Sequence, residues 1–338
     1  MNREIPLGVR LDFYRALRRI RLLDERMQAL QRQGRIGFYG SCTGQEAVPV
    51  ALGLALAPSD WVFPALRESS VLLVRGFSLD TYIAQVFGNA QDVLKGRQMP
   101  SHMSGRTANV VSWSSCIGTQ LTHAVGAAWA AKMRRDPMVA AACLGDGATS
   151  SADFHSALNF AQVFRVPCVF VCQNNQWAIS TPAARQSNTL TFAEKAQGYG
   201  MHSERLDGND VCALYSAFQR AAARARSGLG PSFLECVTYR IGPHSTSDDP
   251  TLYRSNVEVA DWKSRDPIAR LATELGAEGA LDERAALTIT VELNAELDAA
   301  LLRVESEAPP PRASLFDDVY ADLPAHLLEQ RKELFALR

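Results

Sequence analysis

A chain of 338 residues, 47% of them hydrophobic, can bury a substantial core and has room for one large domain or two ordinary ones. A net charge of −1 provides no basic field for nucleic acid or an anionic membrane, and no apolar run approaches the ~20 residues of a membrane span. Seven irregularly spaced cysteines and a charged N-terminus without an apolar signal core predict a soluble cytoplasmic protein whose thiols are reduced and buried rather than zinc-bound.

In chain order, Phe13, Leu17, Ile20, Leu23, Met27 and Leu30 recur at helical steps and predict an amphipathic helix over 11–33, packed on the rest of the chain. Gly34, Gly37 and Gly40 end it, and Thr43 to Ala47 start the next helix. Trp61-Val62-Phe63 reads as a short strand followed by Leu66-Arg67-Glu68, and Lys95 to His102 as a basic loop. Such a loop needs no function, although loops at strand ends often carry one. Val110 to Ile117 predicts a further strand leading into a small-residue helix over Thr119 to Lys132. The alanines and Gly126 there predict close approach of a neighbouring backbone, with His123 packed rather than ligating.

Met138 to Leu144 reads as a strand that breaks into Gly145-Asp146-Gly147. Phe154, Ala157, Leu158, Ala161 and Phe164 then follow helical spacing, and the apolar run Val166 to Cys172 breaks into Asn174-Asn175. This strand–turn–helix–strand–turn unit places both polar turns at the carboxyl ends of parallel strands, where open α/β sheets bind ligands. Further on, a short helix over 192–199, a turn over 205–210, a helix over 211–227 and a strand over 233–239 lead into a long polar loop, Arg240 to Pro250. From Pro267 the chain reads as charged helices interrupted by Pro309-Pro310-Pro311. The alternation predicts an α/β fold, a parallel sheet with helices on both faces and helical extensions at both ends. The expected division is a helical segment over 1–50, an α/β domain over 51–265 and a helical segment and tail over 266–338.

The central unit suggests its own chemistry. A glycine turn lets a ligand approach the backbone, and the N–H groups of a following helix attract phosphate. A carboxylate between the glycines would repel that phosphate unless a cation lay between them, so Asp146 implies a divalent metal. Asn175 adds a neutral oxygen from the adjacent strand end, completing a hard oxygen set suited to Mg²⁺. The dinucleotide fingerprint fits less well, because Ser150 replaces its third glycine and the next strand ends in Gln173 rather than an acid. No P-loop sequence occurs. Gly-Asp-Gly alone is a common turn; followed by Asn-Asn after 26 intervening residues it becomes specific.

That spacing resembles the thiamine diphosphate motif. From about Leu11 to the tail, the chain resembles the α subunit of the E1 component of 2-oxo acid dehydrogenase complexes. Lys-Gly-Arg-Gln-Met-Pro, Tyr-Arg-Ile-Gly-x-His-Ser-Thr-Ser-Asp-Asp and Leu-Phe-x-Asp-Val-Tyr look like the branched-chain enzymes; the pyruvate and acetoin branches are less similar in the His-Ser loop. The resemblance implies a thiamine diphosphate-binding fold with the diphosphate-binding domain over 51–265. It also implies oxidative decarboxylation of a small branched-chain 2-oxo acid and reductive acylation of the lipoyl group of an E2 component. The implied partners are an E1 β subunit, in a heterotetramer of two α and two β subunits, and the E2 lipoyl domain. The β subunit is expected to bring the glutamate that activates the cofactor. A decayed, non-catalytic assembly module is the reading outside enzymology.

Residue by residue, the resemblance implies that Asp146, Asn175 and the Trp177 carbonyl hold Mg²⁺. Gly145, Gly147 and Ala148 line the diphosphate, which Arg67 meets, while Ser115 and Ile117 lie beside the cofactor. Ser114, Thr119 and Gln120 match a monovalent-cation (K⁺) site. His244 matches the active-site histidine, expected to change charge near neutral pH, and Ser245 a regulatory phosphorylation site. Leu66 stands where the family often has a tyrosine, and Pro243 where it has histidine or glycine.

Overall fold

The computed structural model describes residues 5–337. Residues 1–4 and Arg338, which the expected terminal segments include, lie outside the described residues. The chain begins with α1 (Leu7–Arg32), whose buried residues include the whole predicted stripe from Phe13 to Leu30. An irregular stretch leads into α2 (Ala47–Ala55), buried from Ala47 to Gly53. Then come β1 (Trp61–Phe63), a 3-10 turn at Leu66–Glu68, α3 (Val71–Val74), α4 (Leu79–Phe87) and α5 (Thr119–Arg134). The central unit consists of β2 (Ala140–Gly145), a 3-10 turn at Asp146–Ser150, α6 (Ala152–Val163) and β3 (Cys168–Asn174). A small ladder of β4 (Trp177–Ala178) and β5 (Thr181–Pro182) precedes α7 (Ala193–Gln197), β6 (His202–Asp207), α8 (Val211–Arg226) and β7 (Ser232–Val237). Four helices follow: α9 (Asn256–Lys263), α10 (Pro267–Ala277), α11 (Glu283–Glu305) and α12 (Ala325–Ala336).

The main sheet has the order β1-β2-β3-β7-β6, and every pairing in it is parallel. Its central strands are apolar almost throughout because both faces are covered. Strand alternation sends Ala141, Cys143, Val169, Val171, Leu234 and Cys236 to the core shared with α1, α2, α4, α8, α10 and α11. Ala140, Ala142, Leu144, Cys168, Phe170 and Phe233 face the opposite core under α5, α6 and α7. The α/β architecture with helical extensions is therefore as expected. All seven cysteines are unpaired, and all but Cys116 are buried.

Several local expectations are corrected. Val110 to Ile117 is not a strand: Val110 makes single bridges to Val62 and Gly105, and the segment beyond it is irregular, exposed from Ser114 to Ile117. Residues 205–207, read as a turn, belong to β6. This strand lies at the sheet edge with mostly polar side chains, so no apolar alternation marks it. Helix α9 was also invisible to periodicity, since it buries no residue; Ser255 caps it by accepting from the Glu258 N–H at 3.2 Å. Gly126 faces open space and His123 is exposed, so neither takes part in close packing.

Candidate active site at the ends of two parallel strands

Strands β2 and β3 pair from Ala140↔Cys168 to Gly145↔Gln173 and end side by side. Asp146 and Asn175 therefore emerge together, and both are buried. The Asn175 backbone N–H is one of the groups that hold down the Asp146 carboxyl, which burial pushes above the usual carboxylate range. Asp146 opens a 3-10 turn, in which the Thr149 hydroxyl donates to the Asp146 carbonyl at 2.8 Å. The long helix starts only at Ala152, capped by Ser151, so its N-terminus does not lie directly on the glycine turn as expected. A Cβ on Gly145 would meet nothing, leaving the strand end open. A Cβ on Gly147 would sit 2.6 Å from the Ala178 Cβ, so this glycine is required by the approach of β4. Ala148 lies buried in the same turn.

The oxygen donors are oriented by neighbours that sequence reasoning missed. Gln186 Nε2 donates to Asp146 Oδ2 at 2.7 Å. Asn175 Oδ1 accepts from the Trp177 N–H at 3.2 Å, while its Nδ2 donates to Gln45 Oε1 at 2.9 Å. The Trp177 carbonyl accepts from Arg240 Nη1 at 3.1 Å, which leaves one lone pair. A carboxylate, an amide oxygen and a carbonyl fit a hard divalent cation.

Next to these donors lie two buried guanidiniums. Arg67 and Arg240 are 7% and 1% exposed, and among the described residues neither has a carboxylate within ion-pair distance. Arg67 donates to the Ser41 carbonyl and, through Nη2, to the His244 carbonyl at 2.5 Å. Arg240 Nη2 donates to the Ile179 carbonyl at 2.7 Å and the Tyr253 hydroxyl at 2.8 Å. Burial, followed by the charge of Arg240, lowers Arg67 to about 10, and burial likewise lowers Arg240. Two buried guanidiniums with no direct ion pair favour an anion nearby. Arg240 was not anticipated; its place at the end of a strand before a long polar loop was the available signal.

His244 lies against this charge, with Nδ1 3.3 Å from Arg67 Nη2. Burial, then Arg67 and Arg240, push its imidazole down to about 4. The ring is neutral at pH 7, which corrects the expectation of a charge change near neutrality. The loop carrying it is held by Asp248, which accepts from the His244 N–H at 2.6 Å, and by Arg254, which donates to three successive carbonyls from Arg240 to Gly242. Ser245 is half-buried, and its hydroxyl accepts from the Ser247 N–H at 3.3 Å.

The segment from Ser114 to Gln120 is only partly brought together. Ser115 Oγ lies 2.8 Å from Nε2 of His102, whose ring stacks on Trp113 with centroids 3.9 Å apart. Ile117 is exposed. Ser114 accepts from the Cys116 N–H and Thr119 donates to the Cys116 carbonyl, so these two side chains share one neighbour. Gln120 instead donates to the Cys143 carbonyl inside β2, at 2.9 Å.

Comparison with known proteins defines the class. The family described as "Dehydrogenase E1 component" matches residues 14–313, and the chain belongs to that family, which depends on thiamine diphosphate. Its similarity runs to α subunits of the branched-chain branch. It is 44% identical over 327 residues to the 2-oxoisovalerate dehydrogenase subunit alpha of Pseudomonas aeruginosa, covering 95% of this chain and 80% of that one. The 3-methyl-2-oxobutanoate dehydrogenase subunit alpha of Mycobacterium tuberculosis is 43% identical over 339 residues, 99% of this chain and 89% of its own. The mitochondrial 2-oxoisovalerate dehydrogenase subunit alpha 2 of Arabidopsis thaliana is 41% identical over 328 residues, 97% and 70% respectively. An α subunit of this family has a β-subunit partner. Among the described residues no helix is long and apolar enough to cross a membrane.

Proposed function

We propose that the chain is the α subunit of a cytoplasmic branched-chain 2-oxo acid dehydrogenase E1 component. It would act in a heterotetramer of two α and two β subunits and acylate the lipoyl domain of an E2 component. The observation that carries this reading is the emergence of Asp146 and Asn175 from adjacent parallel strands, with the buried Arg240 donating to the Trp177 carbonyl beside them. Residues 51–265 form the diphosphate-binding part in this reading. Asp146, Asn175 and the Trp177 carbonyl hold Mg²⁺. Gly145, Gly147 and Ala148 border the diphosphate, and Arg67 binds it. Ser115 and Ile117 lie beside the cofactor. Ser114 and Thr119, which both bond the Cys116 backbone, supply hydroxyl oxygens for K⁺, whereas Gln120 could contribute only with the oxygen of an amide already bound to β2.

When bound, thiamine diphosphate supplies the electron sink for decarboxylation. The chain's own residues anchor it, neutralise its charge and position a proton. A guanidinium can only donate, so the contact from Arg67 makes His244 Nδ1 an acceptor and puts the proton of the neutral ring on Nε2. Nε2–H is then available to donate to a substrate oxygen or a lipoyl sulphur. Ser245, beside it on the loop, is the proposed regulatory position.

The names of the relatives favour 2-oxoisovalerate over pyruvate or acetoin-derived substrates. Initial rates on 2-oxoisovalerate and pyruvate, with the β subunit and a lipoyl domain present, test this directly. The branched substrate is expected to be faster by about 10–200-fold, the range that one or two methylenes supply. Equal rates, or a preference for pyruvate, would move the chain to the runner-up branch.

A further inference from the structure

Two glutamines, far apart in sequence, each hold one of the two side chains assigned to the metal. We infer that Gln45 and Gln186 are positioning residues that fix which oxygens of Asn175 and Asp146 face the cation, and so set its metal preference. This inference rests on the metal–diphosphate reading above.

The hydrogen-bond chemistry fixes the orientation of each amide. The Trp177 N–H is a donor, so the Asn175 atom facing it is Oδ1, and the opposite atom is Nδ2. The Gln45 atom 2.9 Å from Nδ2 must then be the acceptor Oε1. Gln45 therefore prevents Asn175 from turning its NH₂ towards a cation. On the other side, Gln186 faces a carboxylate, which accepts, and so presents its NH₂; it donates to Asp146 Oδ2 at 2.7 Å and fixes which way the carboxyl group turns. One glutamine acts as an acceptor and the other as a donor.

Gln45 is built for a fixed role. It is fully buried, its N–H donates to the Cys42 carbonyl at 2.7 Å, and its carbonyl accepts from Gln173 Nε2 at 3.0 Å. The preceding Gly44 has φ +89°, and a Cβ there would sit 2.9 Å from the Tyr239 carbonyl, so the turn that presents Gln45 has one backbone course. Among the described residues Gln45 Nε2 has no partner despite its burial, so the oxygen makes the side chain's one hydrogen bond, with Asn175. Partners of this kind around ligands typically account for about 10–100-fold in metal affinity.

The experiment is calorimetric titration of the α–β complex with thiamine diphosphate in the presence of Mg²⁺ or Ca²⁺. Wild type is compared with Gln45→Leu, Gln45→Glu, Gln186→Leu and Gln186→Glu. Gln45→Leu and both Gln186 variants should weaken Mg²⁺-dependent binding by about 10–100-fold. Gln45→Glu retains an accepting oxygen but buries a charge, and should recover only part of what Gln45→Leu loses, whereas Gln186→Glu loses its donor. Because Mg²⁺ demands near-ideal octahedral geometry and Ca²⁺ does not, affinity with Ca²⁺ should fall less. Wild-type affinity in the Leu variants, or equal losses with both metals, would overturn the inference. Gln186 is only half-buried, so its variants remain decisive if Gln45→Leu fails to assemble. If the wild-type complex itself shows no metal-dependent binding, the metal–diphosphate reading fails first and the inference with it.

Discussion

Arg67 Nη2 donates to the His244 carbonyl at 2.5 Å and lies 3.3 Å from the Nδ1 of the same residue, joining the turn after β1 to the loop after β7. One guanidinium thus sets the backbone position of the histidine and its tautomer, and adds to the burial that holds its ring neutral. Arg67→Ala should therefore weaken thiamine diphosphate binding and loosen the loop from Arg240 to Pro250 together. A charge-assisted contact of ~1.5–3 kcal/mol corresponds to a loss of about 10–150-fold in affinity. Arg67→Lys should recover only part of it, because an ammonium lacks the planar fork that reaches the Ser41 and His244 carbonyls at once. Calorimetry and limited proteolysis of the α–β complex read the two effects separately.

The environment of His244 makes a signed prediction about pH. Its pKa is pushed from 6.5 to about 4 by burial and by Arg67 and Arg240. Between those values the unfolded chain binds the proton and the folded chain does not, so this group costs stability as pH falls from about 6.5 towards 4. Above pH 6.5 both states are neutral and the contribution is constant. In the cofactor-free complex, His244 imidazole resonances should titrate with a midpoint near 4. His244→Gln should melt with a shallower decline over that interval than wild type, and a His244 midpoint near 6.5 would contradict the arrangement.

Gly147→Ala tests a packing claim within the glycine turn. Its Cβ would sit 2.6 Å from the Ala178 Cβ, so β4 must move. Overpacking of this kind typically costs ~1–3 kcal/mol. The melting temperature should fall, and cofactor affinity should fall with it because β4 carries the Trp177 carbonyl. Gly145→Ala meets nothing in the same turn and should melt close to wild type, while obstructing the open strand end.

The parts of the site legible in the sequence were those coded by abrupt change. Gly145-Asp146-Gly147 and Asn174-Asn175 stood out because each interrupts an apolar strand, and the parallel pairing of β2 and β3 brings both to one edge. Edge strand β6 and helix α9 were hidden because they bury little and so carry no periodic apolar signal. The serine-rich segment from Val110 to Ile117 began with enough apolar character to suggest a strand, but only Val110 finds a bridge. Gln45, Gln186 and Arg240 were missed for a different reason. Their roles depend on contacts across 130, 40 and 63 positions with Asn175, Asp146 and Trp177, and no local pattern encodes such distances. The charge state of His244 was misread because it follows from burial and from Arg67 on another strand end, neither of which the local sequence encodes.

Dependence on a partner follows from what the chain provides. It offers groups for a metal, an anion and a proton, while the glutamate that activates the cofactor is expected on the β subunit. The α chain alone should therefore show no measurable decarboxylation of 2-oxoisovalerate, and addition of the β subunit should restore it. Activity of the purified α chain at the rate of the complex would refute that division of labour.

The central claim is that Asp146 bridges a diphosphate through a divalent cation. It is tested most directly by titrating thiamine diphosphate into the wild-type and Asp146→Ala α–β complexes, each with Mg²⁺ and with a chelator. The predicted result is tight binding only for wild type with Mg²⁺, with the variant as weak in Mg²⁺ as wild type is in chelator. Unchanged, Mg²⁺-dependent affinity in the Asp146→Ala complex would contradict the claim.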